Sequence, residues 1–240
     1  MSGITLLVAR VTLRELSRRR GALALTLILP LAFFLVRLET HWTALRLLSM
    51  GLGWAVATLA LFTQVSSRQI DRRLVVAGAS PTSIHAGRHL AVLALGWAVA
   101  VPYSAMVHLT IGGQLERPTL VPIMLLLTTT VAVPLGSLAA ALVPRDLEGA
   151  LLLLAIMAVQ VLVDPAESWT RVLPLWSTRE LATVIVDPLG SATGAEHLHE
   201  GMAHGAAFAV VLLALGTGLG SLRLRTLQVR PPLAPPAPPG

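Results

Sequence analysis

Six apolar stretches, each close to the roughly 20 residues that a bilayer-crossing helix needs, alternate with short polar segments along the chain. They run over 21–38, 47–65, 90–111, 120–143, 147–163 and 203–222. The second carries no charge, and the first is broken near its end by Arg37. Pro30, Pro102, Pro122 and Pro134 lie in or beside these stretches. A membrane span tolerates proline because neighbouring helices satisfy the freed carbonyls. The pattern predicts an all-α membrane protein: an interfacial segment (1–20), a single six-span transmembrane domain (21–222) and a proline-rich tail (223–240). No internal repeat and no separate soluble domain interrupt it.

The segments between the spans carry their own periodicity. Ile4, Leu7, Val8 and Val11 share one helical face, whereas Arg10, Arg14 and Arg18 recur every four residues on another. A helix of that kind lies along the inner leaflet with its arginines on the phosphates. In 66–89, Ile70, Leu74 and Ala77 fall at i, i+4, i+7, with Asp71, Arg72 and Arg73 facing elsewhere. Gly78 supplies a C-terminal stop. Ser80-Pro81 restarts a helix, with serine as N-cap and proline at the first helical position. This reads as a short amphipathic helix hinged to the long helix of the third span. The plainer alternative is a loop whose arginines only set topology. Asp146 is placed to cap the fifth span, and the tail 231–240 holds six prolines in ten residues, a polyproline-type composition.

Composition agrees with lipid as the main surroundings. The 240 residues are 55% hydrophobic and 12% charged, about half the charge of a soluble chain, and the mean hydropathy is +0.76. All 18 basic residues are arginine, and lysine, asparagine and cysteine are absent. The missing A-rich codons point to a GC-rich, bacterial genome, and hence to a plasma membrane. Without cysteine there is no disulfide, thiol catalysis or cysteine-held metal. The net charge of +6 does not indicate nucleic acid, because the arginines flank apolar runs and never interleave with aromatics. With the N-terminus inside, the inner segments hold 13 arginines and the outer ones five, so both termini are expected in the cytoplasm. Arg18-Arg19-Arg20 before an apolar run also has the look of an export signal, but no small-x-small cleavage site follows it.

The outer segment between the fifth and sixth spans is acidic. It carries Asp164, Glu167, Glu180, Asp187, Glu196 and Glu200 against Arg171 and Arg179. Two capping boxes, Ser177-x-x-Glu180 and Thr193-x-x-Glu196, predict helix starts there. The first helix would run from Thr178 to Val186, dipping into the outer leaflet or packing on the bundle. On the second, His197, Glu200 and His204 fall at i, i+3, i+7, within about 60° of one another. Such a set can ligate zinc or copper. The alternatives are a polar helix end at the water interface and a proton- or substrate-sensing group. His199 to His204 is one residue too long for HExxH.

No GxxxxGK[ST], GxSxG or SxxK occurs, so the chain has no P-loop and no serine-nucleophile motif of its own. The spans are nearly free of ionisable groups: His108 and Asp164, with the polar Gln160, sit close to outer ends. Ion-coupled carriers keep such groups at mid-membrane, so a pathway powered from outside the chain fits better.

With a basic interfacial helix, six spans, both ends inside, a cytoplasmic helix after span two and short helices before span six, residues 5–225 resemble the membrane subunit of a type-2 ABC exporter. Asp71-Arg72-Arg73-Leu74 through Ala79-Ser80-Pro81-Thr82 and Gly87-Arg88 look like that family's coupling segment. Leu173-Pro174-Leu175-Trp176 looks like its proline-aromatic element. The acidic-x-acidic-Gly-Thr stretch often found in the family is absent; Asp71 is the one acidic residue of 66–89. The resemblance implies a permease with no cofactor on this chain, exporting a hydrophobic substrate while ATP is hydrolysed by a separate cytosolic ABC ATPase. It implies a second permease subunit, identical or not, and coupling through Arg68, Asp71, Arg72, Arg73, Leu74, Gly78 and Pro81. Gly51, Gly53, Gly216, Gly218 and Gly220 are expected to allow close helix approach at that dimer interface. The competing readings are a membrane protein with a metal site at His197, Glu200 and His204, and a non-transporting anchor or assembly factor.

Overall fold

The computed structural model describes residues 3–163 and 167–228, with side chains except at 22, 25 and 225–228. Asp164, Arg230 and the 231–240 tail lie outside the described residues, as does the side chain of Arg225. The described residues form nine α-helices joined by short turns and three 3-10 segments: α1 (Gly3–Arg18), α2 (Arg20–Val36), α3 (His41–Ser66), α4 (Arg68–Val76), α5 (Pro81–Ile111), α6 (Val121–Leu142), α7 (Asp146–Leu162), α8 (Trp176–Val186) and α9 (Ser191–Gln228). No strand occurs among them.

Four helical segments are long and apolar enough to cross a membrane: His41–Ser66, Pro81–Gln114, Pro118–Leu142 and Ser191–Leu224. The helices α2 and α7, at 17 residues each, are about 25 Å long at 1.5 Å per residue, shorter than the bilayer core. Several helices outrun the apolar stretches that mark them. The helix α3 begins at His41 rather than Leu47, because the Arg46 guanidinium lies 5.3 Å from the Trp42 ring and donates to the Gln160 carbonyl. A charge held this way need not end a helix. The helix α9 runs unbroken over 38 residues, so the polar turns before Ala203 continue the last span.

At the centre, α3 packs on α6. The apolar windows of both are 72% buried, against 44% for α5 and 22% for α9. A Cβ on Gly136 of α6 would lie 2.0 Å from the Ala57 carbonyl oxygen of α3, so only glycine lets these backbones meet. Leu48, Leu52 and Val56 of α3 and Met124, Leu125 and Val131 of α6 belong to the one large apolar core. The five glycines expected at a dimer interface are mostly used within the chain. Gly51 meets Pro30 and Phe33 of α2, Gly53 meets Leu175, Gly216 meets Leu138, and Gly220 meets the His85 ring. Gly218 alone of the five has open space beside it.

The amphipathic helix α1 is seated differently from its apolar pattern. Thr5, Val8, Thr12 and Leu16 face the protein, and α1 closes on α5 at Gly87, where a Cβ would meet the Thr5 carbonyl oxygen at 2.7 Å. Ile4, Leu7 and Val11 point away and stay exposed, as do Arg10, Arg14 and Arg18. An apolar and basic outer surface on one helix is what an interfacial position requires.

Both expected capping boxes fail as caps. The helix α8 starts at Trp176 with Leu175 before it, and Ser177 lies inside the helix with its hydroxyl buried and unbonded. Thr193 likewise lies within α9. Asp146 is the first residue of α7, after Arg145, and with Glu148 favours that helix end through the macrodipole.

Candidate coupling helix and inner cavity

The short helix α4 is amphipathic, with Asp71 and Val75 buried and Ile70 and Val76 exposed at 55% and 77%. Arg72 and Arg73 are also exposed. Its end is a Schellman turn. Gly78 takes φ +96°, its N–H donates to the Val75 carbonyl at 3.0 Å, and the Ala79 N–H donates to the Leu74 carbonyl at 2.9 Å. This is the pattern that glycine supports after a helix. Ser80 is extended and Pro81 opens α5, so four residues, 77–80, separate the helices. Leu74, Val75, Ala79, Ile84 and Leu224 form a small apolar cluster beneath the turn.

Three polar contacts fix α4 further. The Asp71 carboxylate receives a hydrogen bond from Arg88 of α5, an ion pair in which both side chains are about 5% exposed. Arg88 also reaches the Thr12 hydroxyl of α1 at 3.5 Å. Arg68 donates to the carbonyls of Pro144 at 2.5 Å, Ala140 at 2.6 Å and Val143 at 2.9 Å. It thereby caps the end of α6, where carbonyls have no partner within the helix. Of the residues assigned to coupling, Arg68, Asp71, Leu74, Gly78 and Pro81 therefore hold α4 to the bundle, and Arg72 and Arg73 remain to meet anything outside it. Sequence reasoning named Arg88 within the segment but assigned it no role; it is the buried partner of Asp71.

Behind α4 lies a cavity of about 720 Å³ whose charged and polar lining includes Arg68, Arg72, Asp71, Arg223, Gln64 and His85. Burial, then the nearby positive charges of Arg223 and Arg72, push the Arg68 guanidinium below its ordinary pKa, and Asp146 opposes them.

At the opposite end, the acidic segment folds inward. Leu181, Ala182, Val184 and Ile185 of α8 are essentially inaccessible, so that helix packs on the bundle. Gln160 of α7 accepts a hydrogen bond from the Leu175 N–H at 2.9 Å. In the Leu173-Pro174-Leu175-Trp176 element, the Trp176 ring lies 5.3 Å from the Arg171 guanidinium and 4.9 Å from the His204 ring. The three candidate metal ligands are engaged with other residues rather than with one another, two of them with Arg171. His197 Nδ1 bonds Glu180 at 2.5 Å, His204 Nε2 bonds the Arg171 carbonyl at 2.7 Å, and Glu200 faces Arg171 at 3.5 Å. Among the described residues no three histidines or carboxylates come together to hold a metal.

No protein-family model matches the chain, and no curated protein matches it. Its class rests on its architecture: among the described residues it is all-helical, with four helices long and apolar enough to cross a membrane.

Proposed function

We propose that the chain is the membrane permease subunit of an ATP-driven ABC exporter in a bacterial plasma membrane. In this reading α2 and α7 complete six spans, both termini are cytoplasmic, and two permease subunits pair around a path for a hydrophobic substrate. A separate cytosolic ATPase supplies the energy. The observation that carries the reading is α4, which presents Ile70, Arg73 and Val76 outward while the Asp71–Arg88 pair locks it to the 31-residue helix α5. A push on that outer face is transmitted to α5 as a rigid tilt, a hinge motion suited to alternating access. The uncharged spans favour an apolar substrate.

The test is purification of the full-length protein from its native host in mild detergent, with identification of stoichiometric partners. A P-loop ATPase is expected with the wild type. It is expected to be lost, at an unchanged melting temperature, when Ile70, Arg73 and Val76 are replaced together by glutamate. A folded protein without an ATPase refutes the reading, and so does undiminished association in the triple variant.

A further inference from the structure

Around the Asp71–Arg88 pair, the first turns of α5 bury two imidazoles that play no part in the proposed coupling. His85, Arg88 and His89 are each more than nine-tenths buried. The His89 ring is oriented by a local bond, with Nδ1 2.8 Å from the His85 carbonyl oxygen. A carbonyl only accepts, so Nδ1 carries the proton and Nε2 is bare in the neutral ring. That Nε2 is buried and has no hydrogen-bond partner. A second proton would arrive there as a buried donor without an acceptor, and would bring a charge with it. The His85 ring is closed over by α9: a Cβ on Gly220 would come within 2.6 Å of both Cε1 and Nε2. The other side of that ring borders the cavity behind α4.

The charged groups of the junction come from three helices. Arg88 lies on α5 itself. Asp71, Arg68 and Arg72 of α4 and Arg223 of α9 border the cavity that His85 shares, as do the neutral Gln64 of α3 and Ser137 of α6. The helix α1 turns Thr5, Val8, Thr12 and Leu16 to the protein, and none of these titrates. Asp71 is the one carboxylate bordering the cavity, and Arg88 already engages it. Protonated imidazoles would repel Arg88 and compete with it for that carboxylate. We propose that the junction of α1, α4, α5 and α9 is an acid-sensitive latch, closed while His85 and His89 are neutral and opened when they take up protons. Opening hydrates the two rings and lifts α4 from its apolar seat on Ile84 and Leu224. An opened chain binds protons at histidine below about pH 6.5, so acid favours opening and neutral pH favours closure. Both histidines precede the apolar stretch that begins at Leu90, which places the latch at a water-facing end of α5. It rests on the fold alone and acts with or without an ATPase on α4.

The chain has no cysteine, so single introduced cysteines report the opening. Val75→Cys, buried beneath α4, and Val76→Cys, exposed on it, are labelled with a thiosulfonate reagent at pH 7.5 and 5.5 in full-length protein in neutral detergent. The ratio of the two rates removes the pH dependence that both thiols share. That ratio is expected to rise about fivefold or more at the lower pH. With His85→Gln and His89→Gln together it should change less than about twofold. His89→Leu alone should give a smaller rise than the wild type, and it carries the test if the glutamine pair does not fold. His108→Gln with His199→Gln, both at exposed positions, should leave the rise intact. Ala132→Cys, inside the large core, should stay unlabelled at both pH values. A flat ratio in the wild type, a full rise in the glutamine pair or in His89→Leu, or labelling of Ala132→Cys in step with Val75→Cys would overturn the proposal.

Discussion

Replacing Asp71 by alanine removes the carboxylate that meets Arg88 and leaves a buried guanidinium without its counter-ion. The two side chains are 4% and 6% exposed. Arg88 Nε already lacks a hydrogen-bond partner, and its remaining contact, to Thr12, is a long 3.5 Å. No second acceptor stands ready, so the full penalty for breaking a buried pair from one side applies, about 3–5 kcal/mol. Removing both charges, as Asp71→Leu with Arg88→Met, should cost about 1 kcal/mol or less, since well-packed apolar side chains often replace such pairs without loss. The four corners of that cycle isolate the coupling between α4 and α5. Unfolding in mixed micelles measures the energies, and limited trypsin digestion at Arg72 and Arg73 reports whether α4 has come away. The single variant should be cut faster than either the wild type or the double variant. A cost below about 1 kcal/mol for Asp71→Ala, with unchanged digestion, would refute the rigid link, because a buried pair cannot be broken that cheaply.

Two other positions give independent checks. Gly136→Ala places a Cβ 2.0 Å from the Ala57 carbonyl oxygen and must push α3 and α6 apart, at a cost of about 1–3 kcal/mol read from the melting temperature in detergent; a neutral result would show that the two backbones do not touch. Gly78→Ala meets no atom but forces alanine into φ +96°, about 1–2 kcal/mol of local strain. That change should speed trypsin cleavage in α4 while leaving the α3–α6 core intact.

Much of the helical layout is legible in the sequence, because apolar length and proline-glycine punctuation are local signals. Gly78 and Ser80-Pro81 mark the α4–α5 turn as the structure has it, since each acts within a few residues of itself. The side-chain partners are not legible. Arg68 caps a helix end more than seventy positions later, and His197 pairs with Glu180, a residue that its spacing from Ser177 suggested as part of a cap. Such contacts depend on where helices cross, which periodicity along one helix does not encode. The three outer residues at i, i+3, i+7 show the converse: they share a helix face, yet His197 meets Glu180 of α8 while Glu200 and His204 both meet Arg171 of the 168–172 turn.

The meeting of Gly136 with Ala57 also orders the biogenesis of the protein. The central pairing joins α3 to α6, and the chain between them includes all of α4 and α5. During synthesis α3 therefore leaves the ribosome long before the helix that will cover it, carrying Ser49, Thr58 and Gln64 on surfaces destined for the interior. Of these, Gln64 finds its partner on α6, donating to the Ser137 hydroxyl at 3.4 Å, so α3 stays incomplete until α6 emerges. The glycine contact closes that interval: once the two backbones meet, the remaining helices have a finished surface on which to assemble.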